Sequence, residues 1–77
     1  MPDSVTFKFH ASLRKQLKKK ELVVKLTGTV SVQDILDRLR VDQSERLLIL
    51  INGIHGNRDQ TLNPGDTVSL FPVVGGG

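Results

Sequence analysis

The chain has 77 residues, 38% of them hydrophobic and 25% charged, which predicts one small globular domain rather than a disordered segment. It contains no cysteine, which excludes disulfides, thiolate metal sites and cysteine nucleophiles within the chain. The longest apolar run, residues 47–51, is far too short to span a bilayer, and the polar residues 1–5 lack a signal-peptide core. We therefore expect no membrane association and a cytoplasmic location.

The net charge of +3 is unevenly distributed along the chain. Five of the eleven Lys and Arg residues lie in one segment, residues 14–20. These residues are Arg14, Lys15, Lys18, Lys19 and Lys20. Such a segment can meet phosphates or an acidic protein surface, whereas a solvated loop is the simpler interpretation.

The first half of the chain predicts two strands. Residues 5–10 alternate apolar and polar side chains, and residues 22–26 repeat that pattern, as half-buried strands do. The side chains expected to face the core are Val5, Phe7, Phe9, Leu22, Val24 and Leu26. Residues 11–17 are interpreted as a connector in which Leu13 and Leu17 lie one helical turn apart. A modest link between neighbouring strands favours an antiparallel pair.

Residues 32–40 predict an amphipathic helix. Ser31 is a suitable N-cap, and Asp34 three positions later completes a pattern like a capping box. The apolar stripe at helical spacing consists of Val32, Ile35, Leu36 and Leu39. A helix this short is unstable alone, so it is expected to pack on a sheet.

The second half of the chain predicts further strands and two tight turns. The continuously apolar residues 47–51 suit a central strand that is covered on both faces, or on one face with a partner on the other. Asn52-Gly53 and residues 63–66 (Asn-Pro-Gly-Asp) have the composition of tight turns. Ile54 is assigned to a very short strand, and residues 67–71 to the last one.

The predicted order is β-β-α-β-(short β)-β, and the predicted fold class is therefore α+β in two layers. Because one helix covers one face of a sheet, the other face is expected to stay open. Val68 and Leu70 are expected on one side of the last strand and Phe71 on the other.

No internal active site is evident in the sequence. His10 and His55 are interpreted as surface residues rather than metal ligands or bases, and no carboxylates are paired at a catalytic spacing. The chain closes instead on Phe71-Pro72 and a run of glycines, residues 75–77. Three residues without side chains make a thin strip that fits a narrow slot on a partner, although a frayed terminus is the plainer interpretation.

Taken together, these features resemble the ubiquitin-like β-grasp sulfur carriers of the MoaD and ThiS families, over nearly the whole chain. The residues that carry the resemblance are Asn52-Gly53, residues 63–66, Phe71-Pro72 and the final Gly76-Gly77. Phe71-Pro72 favours the MoaD branch, the small subunit of molybdopterin synthase, whereas Gly75 stands where the family often has another small residue. The resemblance implies a mixed sheet of four or five strands with one main helix on one face. It also implies a β-grasp domain over residues 1–72 and a tail over residues 73–77.

The resemblance further implies a protein co-substrate rather than an enzyme. Its reactive group is the C-terminal carboxylate of Gly77, which a partner adenylates and which then becomes a thiocarboxylate for sulfur transfer in molybdopterin biosynthesis. Gly75 and Gly76 give the tail access to the partner. The residues implied to contact the partner are Phe71, Pro72, Val73 and Val74.

The partners implied by the resemblance are an E1-like adenylyltransferase of the MoeB/ThiF type and a sulfur donor of the cysteine desulfurase or rhodanese type. The large subunit of molybdopterin synthase is a further implied partner. The chain itself is expected to bind no metal and no cofactor, since ATP is used by the activating partner.

Three alternatives remain open at the level of the sequence. The first is a ubiquitin-like modifier conjugated through Gly77, which shares the adenylation step, and the second is a sulfur carrier for thiamine synthesis or tRNA thiolation. A nucleic-acid-binding module that uses residues 14–20 is the more distant alternative. Base stacking normally needs exposed aromatic side chains, and the chain has only three Phe residues.

Overall fold

The computed structural model describes residues 3–42 and 44–73, and these form five strands and two helices. In chain order the elements are β1 (Ser4–Phe9), α1 (Ser12–Leu17), β2 (Glu21–Lys25), α2 (Val32–Arg38), β3 (Leu47–Ile51), β4 (Ile54–His55) and β5 (Thr67–Pro72). The predicted α+β class with one main helix is confirmed.

The five strands form one mixed sheet in the order β2-β1-β5-β3-β4. β1 and β2 are antiparallel, as predicted, and the register pairs Phe7 with Leu22. β1 and β5 are parallel, with Phe9 opposite Leu70, whereas β3 is antiparallel to both β5 and β4. The first and last strands of the chain therefore lie side by side at the centre of the sheet.

The hydrophobic core lies between one face of the sheet and α2. The predicted inward residues of β1, Val5, Phe7 and Phe9, are buried, and so are Val68 and Leu70 of β5. The helix contributes buried side chains at Val32, Ile35 and Leu36. The predicted inward residues of β2 (Leu22, Val24 and Leu26) are partly buried and pack against the core.

The prediction of a plain connector over residues 11–17 was wrong, because residues 12–17 form the helix α1. Leu13 is only 1% exposed, so burial of this side chain in the core stabilises a helix that local signals do not announce. No side chain caps its start at Ala11. Its end is a left-handed Lys18, a position that glycine usually occupies.

The helix α2 has the predicted start but ends two residues earlier than predicted, at Arg38. The Ser31 hydroxyl accepts from the Asp34 N–H at 3.2 Å, and the Asp34 carboxylate accepts from the Ser31 N–H at 2.9 Å. At the other end, Leu39 is the C-cap and Arg40 has a φ of 60°, so the chain turns away from the helical path.

Substitution of Ser31 with Ala is expected to lower the free energy of unfolding by about 1 kcal/mol, the usual cost of losing an N-cap hydroxyl. Urea denaturation followed by circular dichroism measures this change. Thr29→Ala is the matched control, since this exposed residue lies outside the helix. Equal stabilities of the two variants would show that the capping box contributes nothing.

Within the described ranges 3–42 and 44–73, neither helix has the length and apolar character needed to cross a membrane.

Candidate functional site

One edge of the sheet is the place where the chain leaves the domain toward its glycine run. β1 and β5 end at this edge and β2 and β3 begin there, because β5 is parallel to β1 and antiparallel to β3. We call it the tail edge. Pro72 is the last residue of β5 and pairs with Leu47. The Val73 N–H then donates to the Arg46 carbonyl at 3.0 Å.

The prediction that the last strand covers residues 67–71 was therefore wrong by one residue, because β5 includes Pro72. Proline lacks its own N–H, but its carbonyl and the N–H of the next residue remain able to pair. The structure uses the N–H of Val73 for this purpose. Val73 has a side chain that is 49% exposed, so the backbone is held while the side chain faces outward.

The remaining predicted tail residues, Val74, Gly75, Gly76 and Gly77, lie outside the described residues. Their assigned roles, and the domain boundary after residue 72, stay predictions.

The face of the sheet opposite the core is open, as predicted, and none of its central side chains is buried. We define the open face by Thr6, Lys8, Val23, Leu48, Leu50, Ser69 and Phe71, which the strand registers place on one side, and by His10, which stacks on Phe71 there. Two of its apolar side chains are well exposed, Val23 at 61% and Leu48 at 37%.

This arrangement decides between the two interpretations of residues 47–51. Ile49 and Ile51 are buried in the core, whereas Leu48 and Leu50 lie on the open face. The interpretation that side chains cover both faces of this strand was wrong. The strand is covered on one face and presents apolar side chains on the other, which is the geometry that suits a partner.

Phe71 lies on the open face, on the opposite side of β5 from the buried Leu70. Its ring stacks on the imidazole of His10, with ring centroids 4.2 Å apart and planes 6° apart. Leu48 is paired with Phe71 across the β5–β3 ladder. The three side chains form one row across β1, β5 and β3 next to the tail edge, and we call it the aromatic row.

His10 is a residue of the aromatic row that sequence reasoning did not identify. It is half-buried rather than a plain surface residue, and its Nε2 atom is buried with no hydrogen-bond partner among the described residues. Its backbone N–H donates to the Leu70 carbonyl at 3.2 Å, which fixes its level beside β5. The alternation of residues 5–10 placed His10 on the open face, but only the strand order brings it to Phe71. His55 is exposed, as predicted.

The connector that leads into β3 is held by polar contacts. Arg58 donates to the Gln33 side-chain oxygen at 3.2 Å and to the Glu45 carbonyl, so it ties α2 and the connector to the loop after β4. Hydrogen bonds from the Ser44 N–H and then from the Ser44 hydroxyl keep the pKa of Asp42 below its usual value. These contacts fix the start of β3, which in turn pairs with the end of β5.

A shallow cavity of about 460 Å³ lies beside this connector, lined by residues 44–47, Ile49 and residues 55–58. Within residues 3–42 and 44–73, no three His, Asp or Glu side chains come together in a group that holds a metal ion. The described residues therefore offer an open face of mixed polar and apolar side chains beside the end of β5.

The sequence matches the family model described as the ThiS family over residues 7–77. The chain belongs to the ThiS family. The match includes the open face apart from Thr6 and runs through the glycine tail, so the predicted resemblance to the MoaD and ThiS carriers is confirmed. This is a family of ubiquitin-like sulfur carriers and modifiers, whose members are not catalysts themselves and work with E1-like activating enzymes.

Several solved structures share the fold. Small archaeal modifier protein 1 from Haloferax volcanii is 27% identical, with a TM-score of 0.78 over 96% of this chain and 99% of that one. A putative molybdopterin converting factor subunit 1 from Pyrococcus furiosus is 24% identical, with a TM-score of 0.76 over 92% and 98%. Urm1 from Trypanosoma brucei is 22% identical, with a TM-score of 0.69 over 99% and 97%. Among curated protein sequences, none matches the chain.

Proposed function

We propose that this ThiS-family chain is a sulfur carrier whose Gly77 carboxylate is adenylated by an E1-like partner and converted to a thiocarboxylate, with molybdopterin biosynthesis as its pathway. The observation that carries the proposal is the position at which β5 ends and the chain leaves the sheet. β5, a central strand paired on both sides, ends at the tail edge beside the open face, where Leu48 and Phe71 lie. In that arrangement a partner can bind the open face of the domain and reach the end of the chain at the same time.

The chemistry explains why activation is needed. A terminal carboxylate has a reference pKa of about 3.5 and is therefore ionised and a poor electrophile near neutral pH. In the proposed reaction, an oxygen of the Gly77 carboxylate attacks the α-phosphorus of ATP and pyrophosphate leaves. The terminal sulfur of a donor persulfide then attacks the acyl carbon, and AMP leaves. A thiolate cleaves the resulting S–S bond, so a disulfide forms and the thiocarboxylate remains.

In the proposed reaction, the tail glycines allow the end of the chain to enter the slot of the activating enzyme. A Cβ at Gly76 or Gly77 would crowd the slot in which the nucleophile and the adenylate must meet at bonding distance. Gly75 extends the narrow part of the tail by one more residue. Ordering these residues on binding costs about 1–2 kcal/mol each, and contacts made by the folded domain offset that cost.

The open face provides those contacts. The aromatic row lies next to the tail edge, and Pro72 and Val73 continue from it toward the glycines. An aromatic ring stacked on its neighbour is already ordered, so it loses little side-chain entropy when a partner covers it. We assign the partner-facing role to Phe71, Pro72, Val73 and Val74, and we add His10 and Leu48.

The proposed partners are an E1-like adenylyltransferase of the MoeB/ThiF type, a persulfide donor and the large subunit of molybdopterin synthase. ATP is consumed by the adenylyltransferase, and the carrier itself needs no bound cofactor. We place the reaction in the cytoplasm, where ATP is available. The Pyrococcus furiosus neighbour, described as a putative molybdopterin converting factor subunit, supports the assignment to molybdopterin.

Protein modification is the second candidate function. It is supported by the Haloferax volcanii neighbour, which is described as a small archaeal modifier protein. Both functions share the adenylation step, and they diverge when either a sulfur or a lysine amine attacks the activated Gly77. Thiamine synthesis and tRNA thiolation differ from molybdopterin synthesis only in the final acceptor.

Intact-mass spectrometry separates these outcomes. The chain is incubated with an E1-like activating enzyme from the same organism, ATP and a persulfide donor. The expected result is a mass increase that matches replacement of one oxygen by sulfur, confined to the C-terminal peptide. Reactions without ATP are the control and should leave the mass unchanged.

Higher-mass conjugates containing a second protein would instead assign the chain as a modifier. An unchanged mass with an activating enzyme that loads its other carriers would overturn the proposed function. The acceptor is then identified by adding a sulfur-free molybdopterin precursor with the synthase large subunit, and measuring loss of the added sulfur from the carrier.

A further inference from the structure

The basic segment, residues 14–20, lies at the tail edge. α1 follows directly on the end of β1, and β5 runs parallel to β1 and ends at the same edge. α1 also contacts β5. At the far end of the segment, the Lys20 carbonyl accepts from the Phe9 N–H at 2.8 Å. The charges that appeared in the sequence as a solvated connector are thus placed beside the strand that becomes the tail.

Hydrogen bonds hold the backbone of the segment in place, so its charges stay at the tail edge. The Lys19 N–H donates to the Arg14 carbonyl at 3.3 Å, and the N–H of Lys18 donates to the same carbonyl. The Arg14 Nε lies 3.5 Å from the Phe9 carbonyl, at the end of β1. All five cationic side chains are exposed.

The distribution of charge across the domain is strongly polarised. The segment holds five cations and no carboxylate, so the six other Lys and Arg residues and the eight Asp and Glu residues leave a net charge of −2 on the rest of the chain. At the opposite edge, Lys25 lies 3.7 Å from Asp3, and Asp66 accepts from the Asn52 side chain and the Asn63 N–H. Among the described residues, none of the segment's cations takes part in an ion pair.

A sixth cationic residue, Arg46, flanks the end of β5 from the other side. Arg46 accepts the Val73 N–H through its carbonyl, and its own side chain is exposed. In the sheet, β5 lies between β1, which leads into the segment, and β3, which begins directly after Arg46. Positive charge therefore brackets the point at which the chain leaves the sheet.

We propose that the cations of residues 14–20 form a docking surface for an activating enzyme that carries an acidic patch beside the slot for the tail. The inference rests on the proposed function and adds the chemistry by which the partner is chosen. Complementary charges at the rim of an interface accelerate encounter and fix orientation more than they add affinity. Because these charges lie at the tail edge, they orient the carrier with its tail toward the slot.

The structure favours an acidic protein over a nucleic acid as the occupant. Stacking platforms for bases need free aromatic faces. Phe7 and Phe9 are buried in the core, and Phe71 is already stacked on His10 on the open face. The segment therefore offers charge without stacking.

The test compares two triple variants in pyrophosphate exchange by a purified E1-like activating enzyme from the same organism. K15Q/K18Q/K19Q removes three exposed charges from the segment, and K25Q/R38Q/R40Q removes three exposed charges from elsewhere. At low salt the first variant is expected to raise KM about tenfold with kcat unchanged, since the tail still reaches the slot. The control is expected to change KM by less than about twofold.

Two further measurements sharpen the test. The difference in KM should disappear at about 0.5 M salt, where exposed charges are screened. Lys18→Gly places glycine at a left-handed position, φ 58°, so it is expected to stabilise the fold while still raising KM. A higher KM in a variant that is at least as stable as the wild type would show that the rise in KM does not come from partial unfolding.

Three other outcomes would contradict the docking surface, and they differ in what they imply for the proposed function. Equal KM values for both triple variants, with normal exchange, would overturn the docking surface and leave the proposed function standing. If the wild-type chain binds transfer RNA, and K15Q/K18Q/K19Q abolishes this binding without changing KM, the segment is a nucleic-acid-binding surface instead. No exchange with the wild-type chain, by an enzyme that activates other carriers, would overturn the proposed function and this inference with it.

Discussion

Addition of one alanine after Gly77 is expected to abolish pyrophosphate exchange and sulfur loading without unfolding the domain. The reactive carboxylate is moved one residue beyond its proposed place, and a methyl group is added where the slot must be narrow. A misplacement of reacting atoms by about 1 Å costs roughly 100-fold in rate, and one residue moves them by more than 3 Å. Exchange should therefore fall below detection.

Stability is the control for this variant. The addition lies outside the described core, so the free energy of unfolding should change by less than about 0.5 kcal/mol. An alanine placed before Met1 is the matched extension and should leave exchange intact. Removal of the added C-terminal alanine with a carboxypeptidase should restore it. An extended chain that is still adenylated at the wild-type rate would contradict the role of Gly77.

Substitution of Phe71 with Ala is expected to weaken binding to the activating enzyme by about 30-fold, since a buried aromatic anchor typically contributes 2 kcal/mol or more at an interface. The variant removes the centre of the aromatic row and leaves the imidazole of His10 without its stacking partner. The row lies next to the tail edge, so KM should rise and the fraction of productive encounters should fall. Isothermal titration with the purified enzyme measures the affinity directly.

The same substitution also lowers stability, and the experiment must separate the two effects. Loss of an aromatic pair costs about 0.5–1.5 kcal/mol beyond the lost area, and Phe71 is only half-buried. The variant should therefore remain folded at 25 °C. Val23→Ala is the control, because Val23 is 61% exposed on the same open face but lies on the edge strand β2. Equal affinities of the two variants would exclude the aromatic row as the docking site.

The strands and α2 were predictable because their signals are local. Alternation in residues 5–10 and the stripe in residues 32–40 come from side chains within one element, and each agrees with the buried face observed. α1 had no such signal. It offers two apolar positions, an uncapped start and a lysine where glycine would mark the end, and it forms because Leu13 completes the core.

The candidate site was harder to predict than the fold, because it depends on which strands are neighbours. Phe71 was placed on the side away from Val68 by simple alternation. That it meets His10 follows only from the parallel pairing of β1 and β5, which joins residues about sixty positions apart. For the same reason, the basic segment looked like a loop in the sequence and lies at the tail edge in the structure.

The parallel pairing of β1 with β5 also has a mechanical consequence. β1 enters the sheet at the edge opposite the tail, so tension between the start of β1 and the end of β5 makes the two strands slide along each other. Every hydrogen bond of that ladder is then strained together rather than one after another. Resistance to force depends on the unfolding rate, and this geometry keeps that rate low under load. A partner that pulls on the tail while the start of β1 is held therefore loads the whole β1–β5 ladder at once.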